Sequence, residues 1–293
     1  LLSALRIVCC PGARKARPAP SRPKTGAARA QSRYCAPRFL LKGRARSTSR
    51  PMRQYLPFLK QDPLVPVIRM SGAIAASPRT GALSDQILAP AIEKAFRRGK
   101  PVAVALSINS PGGSPAQSSL IAARIRRLAE EKNLPVHAFV EDVAASGGYW
   151  LACAADHIWV DDNSITGSIG VISAGFGLHR AIKNLGIERR VYTAGESKST
   201  LDPFRPENPE DVARIKAIQG QIHQAFINHV KTRRGDRLSA GTDLFTGEFW
   251  VGQTGVDLGL ADGVAHLVPK MKELYGDKVR FAPIGPRRGL LQR

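Results

Sequence analysis

This sequence predicts an α/β protein with a mostly parallel sheet. Strand-length apolar runs alternate with stretches of helical spacing, several of those runs are apolar on both faces, and Gly-rich turns follow the strands. Strands that alternate with helices are joined by right-handed crossovers, and ligands of such sheets bind at the strand tips.

The elements follow in order from residue 64, where "LVPVIRM" is a β-branched run. "SDQILAPAIEKAFRRGK" reads as a helix closed by Gly99, its regular part expected from Pro90. "PVAVALSI" at 101–108 is a strand buried on both faces, and the turn "NSPGGSP" follows it. "AQSSLIAARIRRLAEEKN" places Leu120, Ile121, Ile125 and Leu128 at helical spacing, with Arg and Glu opposite. "VHAFVE" is a strand, the stretch from Ser146 opens a helix, and "HIWV" is the next strand. "SITGSIGVIS" is strand-like, "LHRAIKNLG" a short helix and "IERRVYT" a strand. The long helix "NPEDVARIKAIQGQIHQAFINHVKTRRG" carries its own punctuation: Asn208 as N-cap, Pro209 at the first helical position and Gly235 at the end.

Charge is distributed unevenly. The formal net charge is +21, yet residues 1–61 hold 15 Lys or Arg and no acidic residue, which leaves 29 basic against 23 acidic side chains in the rest. The body is mildly basic and carries no recognisable nucleic-acid motif, so no nucleic-acid partner is expected. Residues 1–61 are expected to stand outside the fold as a basic tail. Met52 is an alternative start, and residues 1–51 alternatively have the composition of an organellar transit peptide. Residues 62–277 form the expected folded body and 278–293 a basic C-terminal tail. No apolar run reaches the roughly 18 residues of a membrane span, so no transmembrane segment is expected. The expected location is cytoplasmic, with peripheral membrane association and an organelle as alternatives. Cys153 is the only cysteine of the body, which leaves no disulfide framework or cysteine-based metal site there.

Two strand-end turns have unusual composition. Pro111, Gly112 and Gly113 form either a tight turn or a turn whose backbone N–H groups face a ligand. Ser146 stands between Ala144, Ala145, Gly147 and Gly148 at a helix start. It is either an N-cap or a nucleophile cleared of bulky neighbours, with the Gly147 amide able to hold an oxyanion. A nucleophilic Ser needs a base. None of the six His residues lies in a Gly-rich strand-end setting, whereas Lys198 in "AGESKSTLDPF" follows an expected strand end.

The motifs "INSPGG", "AASGGYW", "ITGSIG" and "GESK", in that order, followed by "GEFWVGQTGVDLGLADGV", resemble the signal peptide peptidase A family of Ser-Lys serine peptidases. The resemblance runs from about Val65 to about Gly276. It implies the fold of the Clp protease proteolytic subunit and the crotonases, repeated β-β-α units in a superhelix. By the resemblance Ser146 is the nucleophile and Lys198, 52 positions later, the general base. Ser168 is the residue that hydrogen-bonds and orients the Lys. Gly113, with Gly112 beside it and Gly147 as second donor, forms the oxyanion hole. A Lys amine is a base only when neutral, a state favoured by burial in an apolar cleft. The implied activity is endopeptidase hydrolysis of short or unfolded apolar peptides, cleaved signal peptides among them, with no cofactor or metal. The implied partners are the peptide substrate and further copies of the chain as a homo-oligomer. Family members are membrane-tethered, and this sequence shows no tether. A crotonase-like acyl-CoA hydrolase and a non-catalytic peptide-binding scaffold are the alternatives.

Overall fold

A computed structural model describes residues 62–76 and 82–285. The expected tail at 1–61 and residues 286–293 lie outside the described residues. Along the chain run β1 (Leu64–Ser71), α1 (Asp85–Arg97), β2 (Val104–Ser110), α2 (Pro115–Lys132), β3 (Val136–Ala145), α3 (Gly147–Ala152), β4 (His157–Val160) and β5 (Ile165–Gly167). They are followed by α4 (His179–Asn184), α5 (Pro209–Arg234), β6 (Phe249–Val251), α6 (Gly252–Asp257), β7 (Gly263–Val264), α7 (Leu267–Tyr275) and β8 (Arg280–Ile284). The strand order is β6-β5-β3-β2-β1-β8, with β4 branching from β3 and β7 pairing β4. Every pairing is parallel except β5 with β6.

Period-two alternation builds two cores on this sheet. Val104, Leu106 and Ile108 of β2 and Val136, Ala138 and Val140 of β3 join the cluster shared with α1, α2 and α3. The intervening Ala103, Ala105 and Phe139 pack with Met271 and Val279, under α7. Helix α1 buries Leu88, Ala91, Ile92, Ala95 and Phe96, an i, i+3, i+4, i+7, i+8 stripe. Each large side chain of that stripe contributes about 1.5–3 kcal/mol by leaving water.

Caps follow the sequence. Ser84, Ser114 and Asn208 accept the first free N–H groups of α1, α2 and α5. Helix α1 starts at Asp85, however, and Pro90 lies inside it. The Ser84 hydroxyl accepts from Ile87 N at 3.3 Å and fixes the earlier start. The expected strand at "IERRVYT" is not formed: residues 187–193 pair with no strand, Ile187 and Tyr192 are exposed, and alternation of side chains makes no strand without a neighbouring edge. The expected C-terminal tail begins later than its composition suggests, because Arg280–Ile284 pairs with β1 in parallel. Among the described residues no helix is long and apolar enough to cross a membrane.

The sheet registers bring three strand ends to one corner. β3 pairs with β4 through residues 137–139 and with β5 through residues 143–145. Ala145 stands opposite Gly167, so the residues after them, Ser146 and Ser168, leave the sheet side by side. On the other flank Ser110 stands opposite Ala144, which brings the Pro111-Gly112-Gly113 turn to the same end.

Candidate active site

Each strand end at this corner delivers one expected group. Ser146 follows β3, Ser168 follows β5, and Gly112 and Gly113 follow β2. The amide of Ser146 donates to Gly167 O at 2.9 Å, tying the first two ends together. Ser146 is half-buried, with φ 52° and ψ −122°, and its hydroxyl caps no helix N–H. A plain N-cap would sit in the extended region and accept an N–H, so the capping explanation of this Ser does not hold. A backbone held in so sparsely populated a region costs ~1–3 kcal/mol and is kept only where its surroundings enforce it.

The glycines explain how close the ends come. A Cβ on Gly112 would lie 2.7 Å from Gly147 N, 2.8 Å from Ala145 O and 2.9 Å from the Ser146 Cβ. A Cβ on Gly147 would lie 2.5 Å from the Ser118 Oγ and 3.3 Å from Gly113 N. Gly113 is held against the Ile74 backbone: Ile74 N donates to Gly112 O, and Ser114 N to Ile74 O, both at 2.8 Å. That bridge leaves Gly113 N without a hydrogen-bond acceptor among the described residues. Gly147 N, at the first position of α3, is likewise free of an intrahelical partner. Two amide donors and one strained Ser therefore share a single corner.

Helix α3 is too short to hold its own orientation. Guanidinium groups grip its far end: Arg233 donates to Cys153 O at 2.9 Å and Ala155 O at 3.1 Å, and Arg126 to Ala154 O at 3.3 Å. Asp156 anchors both arginines, at 2.8 and 3.1 Å. Burial alone would raise the Asp156 carboxyl, but the Val136 N–H and the two guanidiniums outweigh it and hold the group below the usual carboxylate range. Cys153, fully buried beside them, has its thiol pushed up to about 12, chiefly by burial, and is inert as a nucleophile.

Ser168 is half-buried, also at positive φ, 52°, with its N–H donating to Glu248 O at 2.6 Å. Lys198 is placed differently. It lies on the short turn Glu196–Ser199, exposed, and no hydrogen bond links it to Ser146 or Ser168 among the described residues. The structure thus gathers Ser146, Ser168, Gly112, Gly113 and Gly147 and leaves Lys198 on an arm, residues 170–208. Two histidines touch the corner in a way sequence does not announce. His223 bonds Ile169 O at 3.0 Å and His229 bonds Trp150 O at 3.1 Å. Neither contact has a signature in sequence, because both partners are main-chain carbonyls. A cavity of about 520 Å³ lined by Glu141, Asp142, Asp161 and His266 contains none of the candidate residues. Among the described residues no group of three His, Cys, Asp or Glu side chains is placed to hold a metal ion.

Comparison with known proteins gives the family. The profile of peptidase family S49 matches residues 128–276, a span that contains Ser146, Ser168 and Lys198. The chain is 52% identical over 231 residues to a Brucella melitensis protein named Na(+)/H(+) antiporter NhaA, covering 78% of this chain and 31% of that protein. It is 30% identical over 210 residues to the chloroplastic serine protease SPPA of Arabidopsis thaliana, covering 69% and 31%. It is 31% identical over 186 residues to the "Probable protease SohB" of Haemophilus influenzae, covering 61% and 51%. The chain therefore spans about a third of the length of the first two relatives and half of the third.

Proposed function

Because this chain belongs to peptidase family S49, we propose that it hydrolyses short or unfolded apolar peptides through a Ser146–Lys198 dyad and an acyl-enzyme. The observation that carries the reading is the strained, uncapped Ser146 beside the free amides of Gly113 and Gly147. In this mechanism the neutral amine of Lys198 takes the Ser146 proton as Oγ attacks the peptide carbonyl. The amides of Gly113 and Gly147 hold the oxyanion, and Ser168 orients the amine. Lys198 then passes the proton to the leaving amine, and water, activated the same way, releases the acyl group. No cofactor enters these steps.

A base of this kind must lose water, and an exposed Lys198 has not done so. The arm that carries it also exposes Ile172, Phe176 and Tyr192 by 86%, 80% and 90%, apolar side chains that favour burial against another protein surface. A homo-oligomer in which a second copy covers the arm would dehydrate Lys198 and complete the site. The test compares hydrolysis of an apolar fluorogenic peptide by the parent, Ser146→Ala and Lys198→Ala. Each variant is expected to lose about 10³-fold or more in kcat. Equal turnover by all three would overturn the reading.

A further inference from the structure

Resting on the dyad reading, we infer that His223 is a positioning residue that fixes Ser168, and through it the base, by holding the main chain where the arm leaves the body. The carbonyl of Ile169 accepts at 3.0 Å, so Nε2 of His223 carries the proton and donates. Ile169 directly follows Ser168, and its own side chain is fully buried. On the upstream side Ser168 is held by its N–H to Glu248 O at 2.6 Å. Downstream the chain goes straight into the exposed arm, where residues 172–178 are all exposed. Among the described residues the His223 bond is thus the last side-chain tie before the arm begins.

The tie is well founded because α5 is itself fixed to the nucleophile helix. Phe226 stacks on Trp150 of α3 with ring centroids 4.8 Å apart, and His229 stacks on the same ring at 5.0 Å. His229 also bonds Trp150 O at 3.1 Å. Six residues before His229, about 9 Å along the helix axis, His223 reaches the other serine-bearing segment. One rigid helix therefore references Ser168 to Ser146. The arm leaves at Gly170 and returns at Pro209, the first residue of α5, so His223 ties the arm's exit to the helix into which the arm leads. Ser168 sits at φ 52°, outside the relaxed region for a residue with a Cβ, and is apt to drift once that stitch is cut.

The experiment measures peptide hydrolysis by His223→Ala, His223→Gln and the neighbouring surface change Gln224→Ala, alone and with Ser168→Ala, with thermal unfolding of each protein as the fold check. Gln carries an N–H donor at about the reach of Nε2. His223→Ala is expected to lower kcat roughly tenfold to a hundredfold with KM within about twofold, since small misplacement of reacting groups has effects of that size. His223→Gln should restore most of kcat, and Gln224→Ala should match the parent. In the Ser168→Ala background, His223→Ala should add little, because a residue that acts through Ser168 has nothing left to set. Unchanged kcat in folded His223→Ala, no rescue by Gln, or a full additive loss in the Ser168→Ala background would each overturn the inference. Activity surviving Ser146→Ala would instead overturn the dyad reading, and this inference with it.

Discussion

Ser146 and the glycines around it set the geometry of the corner at the scale of single atoms. Gly112 has no room for a side chain, since a Cβ would press on Gly147 N, Ala145 O and the Ser146 Cβ. At φ 96° any L residue there is strained as well. Gly112→Ala is therefore expected to cost about 2–4 kcal/mol in stability and to abolish peptide hydrolysis even where the protein stays folded. Chemical unfolding and a turnover assay on the same sample check both parts; an active, equally stable variant would contradict this packing. Ser146, Gly112, Gly113 and Gly147 were legible in the sequence because small residues in a row after an apolar run are a local signal. His223 and Arg233 were not, because each meets backbone carbonyls more than 50 positions away, and carbonyls look alike in every sequence.

Elements fix where those atoms stand, and one of them reports on pH. His137 of β3 lies under α7, with Nε2 donating to the Tyr275 hydroxyl at 3.0 Å and Nδ1 accepting from Trp159 at 3.5 Å. Burial is the main cause that brings its pKa down to about 4, with His157 and Lys270 adding positive charge and Asp156 opposing. The folded-state value lies below the unfolded value of 6.5, so the unfolded chain takes up this proton first on acidification. Stability from the neutral ring is full above pH 6.5 and is lost as pH falls towards 4. The loss is expected to be on the order of 3 kcal/mol, and urea unfolding between about pH 7 and 4 should show a shallower decline for His137→Gln than for the parent. Parallel declines would contradict this account. Helices with caps and periodic faces, α1, α2 and α5, could be read from sequence. The stretch 187–193 and strand β8 could not, since alternation does not say whether a neighbouring edge is present, and a short edge strand resembles a polar tail.

For the whole molecule, the question is what covers the arm. The described residues leave Ile172, Phe176 and Tyr192 open to water on the segment that carries the proposed base. Replacing Phe176 and Tyr192 together with Asp is expected to give a folded monomer by light scattering that has lost peptidase activity, whereas the parent is larger and active. A variant that keeps both size and turnover would remove the arm from the account. The motif order revealed the family and the α/β sheet, because four linked signatures are global information carried by local residues. It could not reveal where Lys198 sits, since an exposed turn is placed by whatever covers it. The central claim is that Ser146 is acylated with Lys198 as its base, and trapping the intermediate tests it most directly. The protein is mixed with an apolar peptide ester, quenched in acid and mapped by mass spectrometry. The account predicts an acyl group on the peptide containing Ser146, formed rapidly by the parent and far more slowly by Lys198→Ala. An acyl group on another residue, or equal rates in the two proteins, would contradict it.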